Sequence, residues 1–270
     1  MRSKKIMLVS VVLAVLFTVI GTGILPAQTQ GEKIFEKVIT AMGGAEKIKN
    51  VKNVLLKLEI TRKNPRGNFA FNAVAVLQYP DKLLYTLRSR KGHVIMAVDG
   101  TEAWQQLPPK SLEPMSEVDR NYEMTLIYRD PFYIYRNLHQ YKIEHKGNRD
   151  YAGISAIDLY LTGPDDFHMY IDPKTDLPVG VSYLGLVPGV DEPVEQKEVY
   201  TGWKEADGIK LPLHTTLEAG NDFMTSDTVD FQFNIPVEND IFKGKNIPQA
   251  YMDFINLKNQ PPKEGVNEKK

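Results

Sequence analysis

Five histidines and one acidic doublet are the residues of this chain best suited to acid–base or metal chemistry. His93, His139, His145, His168 and His214 are spread over strand-like segments, and none completes a close ligand pattern such as H-E-x-x-H. The chain contains no cysteine, which removes disulfides, thiolate metal sites, a cysteine nucleophile and the lipid-modified cysteine of a lipoprotein. No G-x-S-x-G elbow and neither glycine-rich phosphate loop occurs. Asp165-Asp166 sits in "TGPDDFH", where Asp is favoured for local hydrogen bonding in a hairpin turn rather than for catalysis. No cofactor, metal or assembled catalytic set is expected, and the reading is of a non-enzyme.

What the chain has in excess is aromatic and large apolar side chains. Tyr85, Trp104, Tyr122, Tyr128, Phe132, Tyr133, Tyr135, Tyr160, Tyr170 and Tyr183 outnumber what turns require. Each taken singly is a core residue. Together they ask what framework could hold them, and "VIMAVDGTEAWQQLPP" (94–109) shows the difficulty. Asp99-Gly100 is a hairpin turn signal. Val94, Met96 and Val98 then share one face of the first arm, with Ile95, Ala97 and, across the turn, Trp104 on the other. Both faces are apolar, whereas a one-layer antiparallel sheet normally wets one of them.

The elements that would position these residues follow from periodicity. Ile34, Val38 and Met42 give residues 31–50 a helical stripe that Gly43-Gly44 ends. From Val51 the period becomes two. Strands are expected near 54–60, 69–79, 83–89, 141–145, 154–161, 168–171, 179–184, 195–203, 209–217 and 225–234, with turns at Pro80-Asp81, Asp172-Pro173 and Asp207-Gly208. The meander is broken once, at 116–138. Val118, Tyr122 and Leu126 have helical spacing, and Asp130-Pro131 restarts a second short helix as N-cap and first-turn proline. From Gly244 the composition turns to Pro, Lys, Asn and Glu, so 244–270 reads as a polar surface tail.

Residues 1–27 have the form of an export signal. Arg2, Lys4 and Lys5 precede an uncharged apolar run from Ile6 to Ile20, and Ala27 is the expected last residue before cleavage. An uncleaved anchor is the competing reading, since the apolar run extends to Leu25. Either way the folded part lies outside the cytoplasm. The formal net charge of −1 becomes −4 once the three basic residues are removed, leaving 30 Lys+Arg against 34 Asp+Glu. Such a balance argues against nucleic acid as partner.

"YPDKLLYTLRSRKGHVIMAVDGTEAWQQLPP" (79–109) resembles the core signature of the LolA/LolB-like fold. There a strand leaving a proline is followed by a hairpin of the form "…DG…W…P", here Pro80, Asp99-Gly100, Trp104 and Pro108. "AMGGAEKIKNVKNV" (41–54), "MYIDPKTDLPVGV" (169–181) and "ADGIKLP" (206–212) are similar to stretches of outer-membrane lipoprotein-sorting-like proteins, so that the resemblance spans residues 31–243. It implies a mainly β (α+β) domain, an incomplete antiparallel β-barrel or strongly curved sheet with an N-terminal helix and a helical lid. Its interior would hold acyl chains of lipoproteins or lipids in the periplasm, exchanged with inner- or outer-membrane delivery proteins by a monomeric carrier. Leu58, Leu87, Ile95 and Trp104 on the sheet, with Tyr122, Leu126, Phe132 and Tyr135 on the lid, are the expected ligand contacts. The family's carrier has an arginine before the first proline, where it tethers the closed lid; here that residue is Tyr79. Two alternatives remain beside the carrier: an envelope sensor that binds lipid and a protein partner, and an enzyme acting on a lipid.

Overall fold

The computed structural model describes residues 28–89, 91–185 and 192–257, so the expected signal segment lies outside the described residues. Helices α1 (Gln30–Met42) and α2 (Ala45–Asn50) lead into strands β1 (Asn53–Asn64), β2 (Gly67–Gln78), β3 (Lys82–Ser89), β4 (Gly92–Asp99), β5 (Glu102–Gln106) and β6 (Glu113–Pro114). Helices α3 (Glu117–Tyr128) and α4 (Pro131–Arg136) interrupt the strands. Then come β7 (Lys142–Tyr151), β8 (Ile154–Thr162), β9 (Phe167–Ile171), β10 (Pro178–Gly185), β11 (Val194–Ala206), β12 (Ile209–Ala219), β13 (Asp222–Phe233) and a last helix, α5 (Gln249–Asn256). All thirteen strands form one antiparallel sheet in the order β6-β5-β4-β3-β2-β1-β13-β12-β11-β10-β9-β8-β7. The two halves of the meander are joined only where β1 pairs with β13. The sheet curls but does not close, and β6 and β7 remain as edges.

Local signals account for the helices. Thr29 and Glu32 form a capping box at the start of α1, and Gly43, at φ +140°, ends it. Asp130 caps α4 by accepting from the Phe132 N–H at 2.7 Å, with Pro131 in the first turn. The β11–β12 turn places Asp207 and Gly208 at φ +54° and +73°, the pair of positive angles that a two-residue hairpin turn demands. In the β4–β5 hairpin Asp99 pairs with Glu102, Val98 with Ala103 and Ala97 with Trp104. The even-length loop therefore puts Trp104 on the face of Ile95 and Ala97, as expected.

Each face of the sheet has its own cover. On the concave side α1, α3 and α4 bury Phe35, Val38, Met124, Ile127, Phe132 and Ile134 against Val54, Leu77, Leu83 and Val98. On the convex side a 3-10 turn (Asn239–Lys243) and α5 bury Ile241, Phe242, Tyr251 and Ile255 against Leu55, Val74, Val76, Leu84, Ile95 and Ala97. The expectation of a surface tail from Gly244 is corrected here. The apolar stripe of α5, held in a mostly polar stretch, is what the second apolar face of β1–β4 needs. Replacing Ile255, fully buried on the inner side of α5, by Ala is expected to cost about 2–4 kcal/mol in denaturant unfolding. A free tail would show less than about 0.5 kcal/mol.

Candidate functional site

Directly opposed residues on antiparallel strands point to the same face, so the registers fix which side chains line the concave wall. One row across the sheet runs Val98, Leu83, Leu77, Val54, Phe233. A second runs Met96, Tyr85, Ala75, Leu56, Phe231, and a third Val94, Leu87, Ala73, Leu58, Thr228. Further along β1 lies a row of Phe69, Arg62, Met224, Leu217, Glu198, Val181 and Met169. The first of these rows is solid core. Along the others burial declines: Leu58, Leu87, Val94, Met96 and Met224 are only partly buried.

Helix α3 forms the boundary between the filled and the open parts. It runs from the β4–β5 turn, where Arg120 bonds the Gly100 carbonyl, to the β8–β9 turn, where Arg129 pairs with Asp165. Met124 and Ile127 face the core, while Tyr122 and Leu126 stay 50% and 48% exposed. Tyr122 is within electrostatic reach of Arg62 on β1 and of Glu198 on β11. Those strands are three strand spacings apart, about 14 Å along the sheet. Arg62 and Glu198 stand in one concave row, so Tyr122 reaches over that row and the 122/126/129 side of α3 looks along the open part of the concave wall.

The polar groups of this wall are mostly committed. Arg62 makes a bidentate pair with Asp222, its Nε lying 2.9 and 3.0 Å from the two carboxylate oxygens. The guanidinium of Arg129 lies 3.2 Å above the centre of the Tyr183 ring. Glu198 accepts hydrogen bonds from the hydroxyls of Tyr183, at 2.8 Å, and Tyr200, at 2.9 Å. Desolvation, followed by nearby carboxylates, pushes the hydroxyls of Tyr85, Tyr122, Tyr183 and Tyr200 upward, so they stay protonated donors. Glu123, on the same side of α3, is raised to about 7 by desolvation and then by Asp119.

The lid is pinned to the sheet at its other end by a different set. The Tyr79 hydroxyl donates to Asp130, and Arg136 lies over the Tyr79 ring at 4.7 Å while donating to the Ile48 and Val51 carbonyls. Burial lifts Asp130 to about 6 against the opposing pull of the Tyr79 and Phe132 hydrogen bonds. The tyrosine before the first proline thus reaches the N-cap of α4.

The eight expected contacts divide. Leu58 and Leu87 are neighbours through Ala73 on the concave wall, and Tyr122 and Leu126 border its open part. Phe132 is 1% exposed, edge-on to Tyr79 and Phe233 at 6.3 and 6.2 Å, and belongs to the closed core. Tyr135 packs at the margin of that core under Lys49. Ile95 and Trp104 are on the convex face, away from the lid, because the period of two that unites them also separates them from Val94 and Met96. The Val118–Tyr122–Leu126 stripe, read as the inward side of α3, is the unpacked one; Val118 is 73% exposed. Arg62, Glu123, Glu198 and Tyr200 were not anticipated as site residues. Their meeting depends on registers across four strands, and no local pattern announces it.

The histidines do not assemble. His168 lies 2.7 Å from the buried Asp158 and His214 2.6 Å from Asp227, both cross-strand pairs on the convex face. No group of three His, Asp or Glu among the described residues could hold a metal ion. Asp166 accepts from the Gly163 N–H within its turn.

No family model and no curated protein matches the sequence. Solved structures do. A DUF1329 family protein from Desulfovibrio piger superposes with a TM-score of 0.57 at 12% identity, over 83% of this chain and 100% of the other. A domain assigned to outer membrane lipoprotein sorting from Vibrio parahaemolyticus gives 0.54 at 13% identity, over 78% and 97%. A LolA superfamily protein from Nitrosomonas europaea gives 0.52 at 14% identity, over 80% and 98%.

Two measurements check this division of the concave side. Phe132→Ala should lose about 3–5 kcal/mol of stability, against under about 0.5 for Leu126→Ala. Glu123 binds its proton more tightly folded than unfolded, so it subtracts stability as pH rises from about 4.5 through 7. Glu123→Gln should therefore raise the melting temperature more at pH 8 than at pH 5, with a gap wider by about 2–4 °C. A thirteen-stranded curled sheet with a helical lid, matched over most of its length by these structures, gives the chain the LolA-like fold.

Proposed function

We propose that this protein is an envelope carrier that holds acyl chains of lipids or lipoproteins along the open part of its concave wall, and that it is a binder rather than an enzyme. The observation that carries this reading is the one-sided packing of α3. Met124 and Ile127 are fully buried, whereas Tyr122 and Leu126 are half exposed, and Leu58, Leu87 and Met96 on the concave wall are only partly buried. An amphipathic helix laid over an apolar wall normally spends its apolar surface on that wall. Apolar side chains left part-exposed on both helix and wall suit a guest that completes their contacts, at roughly 25 cal/mol per Å² of surface removed from water.

The fold supports the same reading, since two of the superposed proteins are described as a LolA superfamily member and a lipoprotein-sorting domain. The basic, apolar and small-residue regions of 1–27 fit export to the periplasm. No helix among the described residues is long and apolar enough to cross a membrane. Loading and release would then fall to membrane-bound partners, with the lid held meanwhile by the Tyr79–Asp130 contact.

The test is titration with a fluorescent fatty acid. Saturable binding at micromolar concentration is expected, and Leu87→Trp, which fills the gap from the sheet side, should weaken it at least roughly tenfold. The melting temperature should stay within a few degrees, because Leu87 is not packed on all sides. Absence of saturable binding by the wild-type protein would overturn the carrier reading.

A further inference from the structure

We propose that the stretch of concave wall around Glu198 is a headgroup subsite that takes a positively charged, ammonium-type headgroup. This rests on the acyl-binding reading and names the amphiphile it selects.

The argument is one of charge left over after pairing. The wall carries two guanidinium groups, and both are spoken for: Arg62 by Asp222 in a bidentate pair, Arg129 by Asp165 and by the face of Tyr183. Glu198, one cross-strand row from Tyr183, has two hydroxyl donors and no cationic partner among the described residues. Hydrogen bonds from neutral hydroxyls satisfy its lone pairs without cancelling its charge. Glu123 on α3, its carboxyl lifted to about 7 by burial, adds a second carboxylate above that pH, within electrostatic reach of Tyr85 and Tyr122. The other concave residues of the neighbouring strands are uncharged: Phe69, Phe71 and Ala73 on β2, Leu87 on β3, Met96 on β4, Met224 and Ser226 on β13, Thr215 and Leu217 on β12.

The uncompensated charge is therefore negative, and it is surrounded by aromatic rings. Tyr122 and Tyr200 lie around Glu198 beside Tyr183, one face of which Arg129 already holds, and tyrosine faces attract cations through the ring quadrupole. A phosphate or carboxylate head would meet Glu198 and Glu123 with both arginines already neutralised. An ammonium would meet a carboxylate and tyrosine rings while its chain lay toward Leu58 and Leu87. Between the row of Leu58 and that of Arg62 the same face of β1 carries the buried Ile60, in a row with Phe71, Ser226, Thr215 and Tyr200, so apolar and hydroxyl side chains join the chain site to the head site.

The experiment is competition against a neutral fluorescent acyl ester on the full mature chain, with three competitors of equal chain length below their micellar concentrations. They are tetradecyltrimethylammonium, tetradecanoate and tetradecyl maltoside. The cationic amphiphile should displace the probe at a concentration roughly tenfold below that of the carboxylate, with the maltoside between them. Glu198→Gln, which keeps an acceptor for both tyrosine hydroxyls, should bring the cation-to-anion ratio most of the way to one, and Glu123→Gln should reduce it in part. Glu218→Gln, exposed on the convex face of β12 opposite Lys197 and Phe223, changes the net charge by the same amount away from the wall and should leave the ratio as in wild type. Equal displacement by all three competitors, or an equal loss of preference in Glu218→Gln, would overturn the headgroup subsite while leaving the acyl-binding reading intact. Failure of every competitor to displace the probe, or of the probe to bind, would overturn both.

Discussion

Strands β1 to β4 are apolar on both faces, and water must be kept from each. Most of the architecture answers to that constraint. The concave face draws in α1, α3 and α4, and the convex face draws in the segment after β13. Neither cover alone would do, because a strand with Leu55 and Leu56 in succession presents apolar surface to both sides of the sheet. The order of elements along the chain follows from this. The helices that cover the inside come before and between the two halves of the meander, and the helix that covers the outside comes after both.

The lid owes its placement to polar contacts at sheet turns more than to its own hydrophobicity. Arg120 reaches the β4–β5 turn, Arg129 the β8–β9 turn, and Asp130 the Tyr79 hydroxyl at the end of β2. Between these anchors α3 buries Met124 and Ile127 in the core, with Tyr128 packed at its margin. Its other side is free to border a space, and that space takes its polarity from Arg62 on β1 and Glu198 on β11, which stand in one row across the concave face. Tyr122 sits between the two and experiences both.

Period-two alternation was enough to read the strands, and turn chemistry at Asp172-Pro173 and Asp207-Gly208 was enough to place their ends. The Asp130-Pro131 start of α4 and the face shared by Ile95, Ala97 and Trp104 were likewise legible. What alternation cannot say is which face is the inside. Ile95 and Trp104 were assigned to the lid side for that reason, since an apolar residue on a doubly covered strand looks the same from either side. The helical stripe of α3 misled in a related way. Val118, Tyr122 and Leu126 form a more regular apolar series than Arg120, Met124 and Ile127, yet the second set packs. Its arginine is anchored to a carbonyl, a contact that hydrophobic spacing does not register. Glu198 was invisible because its meaning lies in its cross-strand partners Val181 and Leu217 and in two tyrosines, Tyr183 a strand away and Tyr200 two residues on.

A free edge at each end is the cost of a barrel left open, and here the edges are the outer sides of β6 and β7. β6 is only two residues long. β7 is ten residues long, but it carries Lys142, Glu144, His145, Lys146, Arg149 and Asp150, and its ladder is dislocated between His145 and Gly147. Near its start the N-terminus of α1 closes over it, with the Thr29 hydroxyl on the Ile143 carbonyl. A charged, bulged and partly capped edge offers a poor template for another strand. A sheet of this size can therefore stay unclosed without its exposed backbone seeding fibrous assembly, which would otherwise threaten any open β-structure at high concentration.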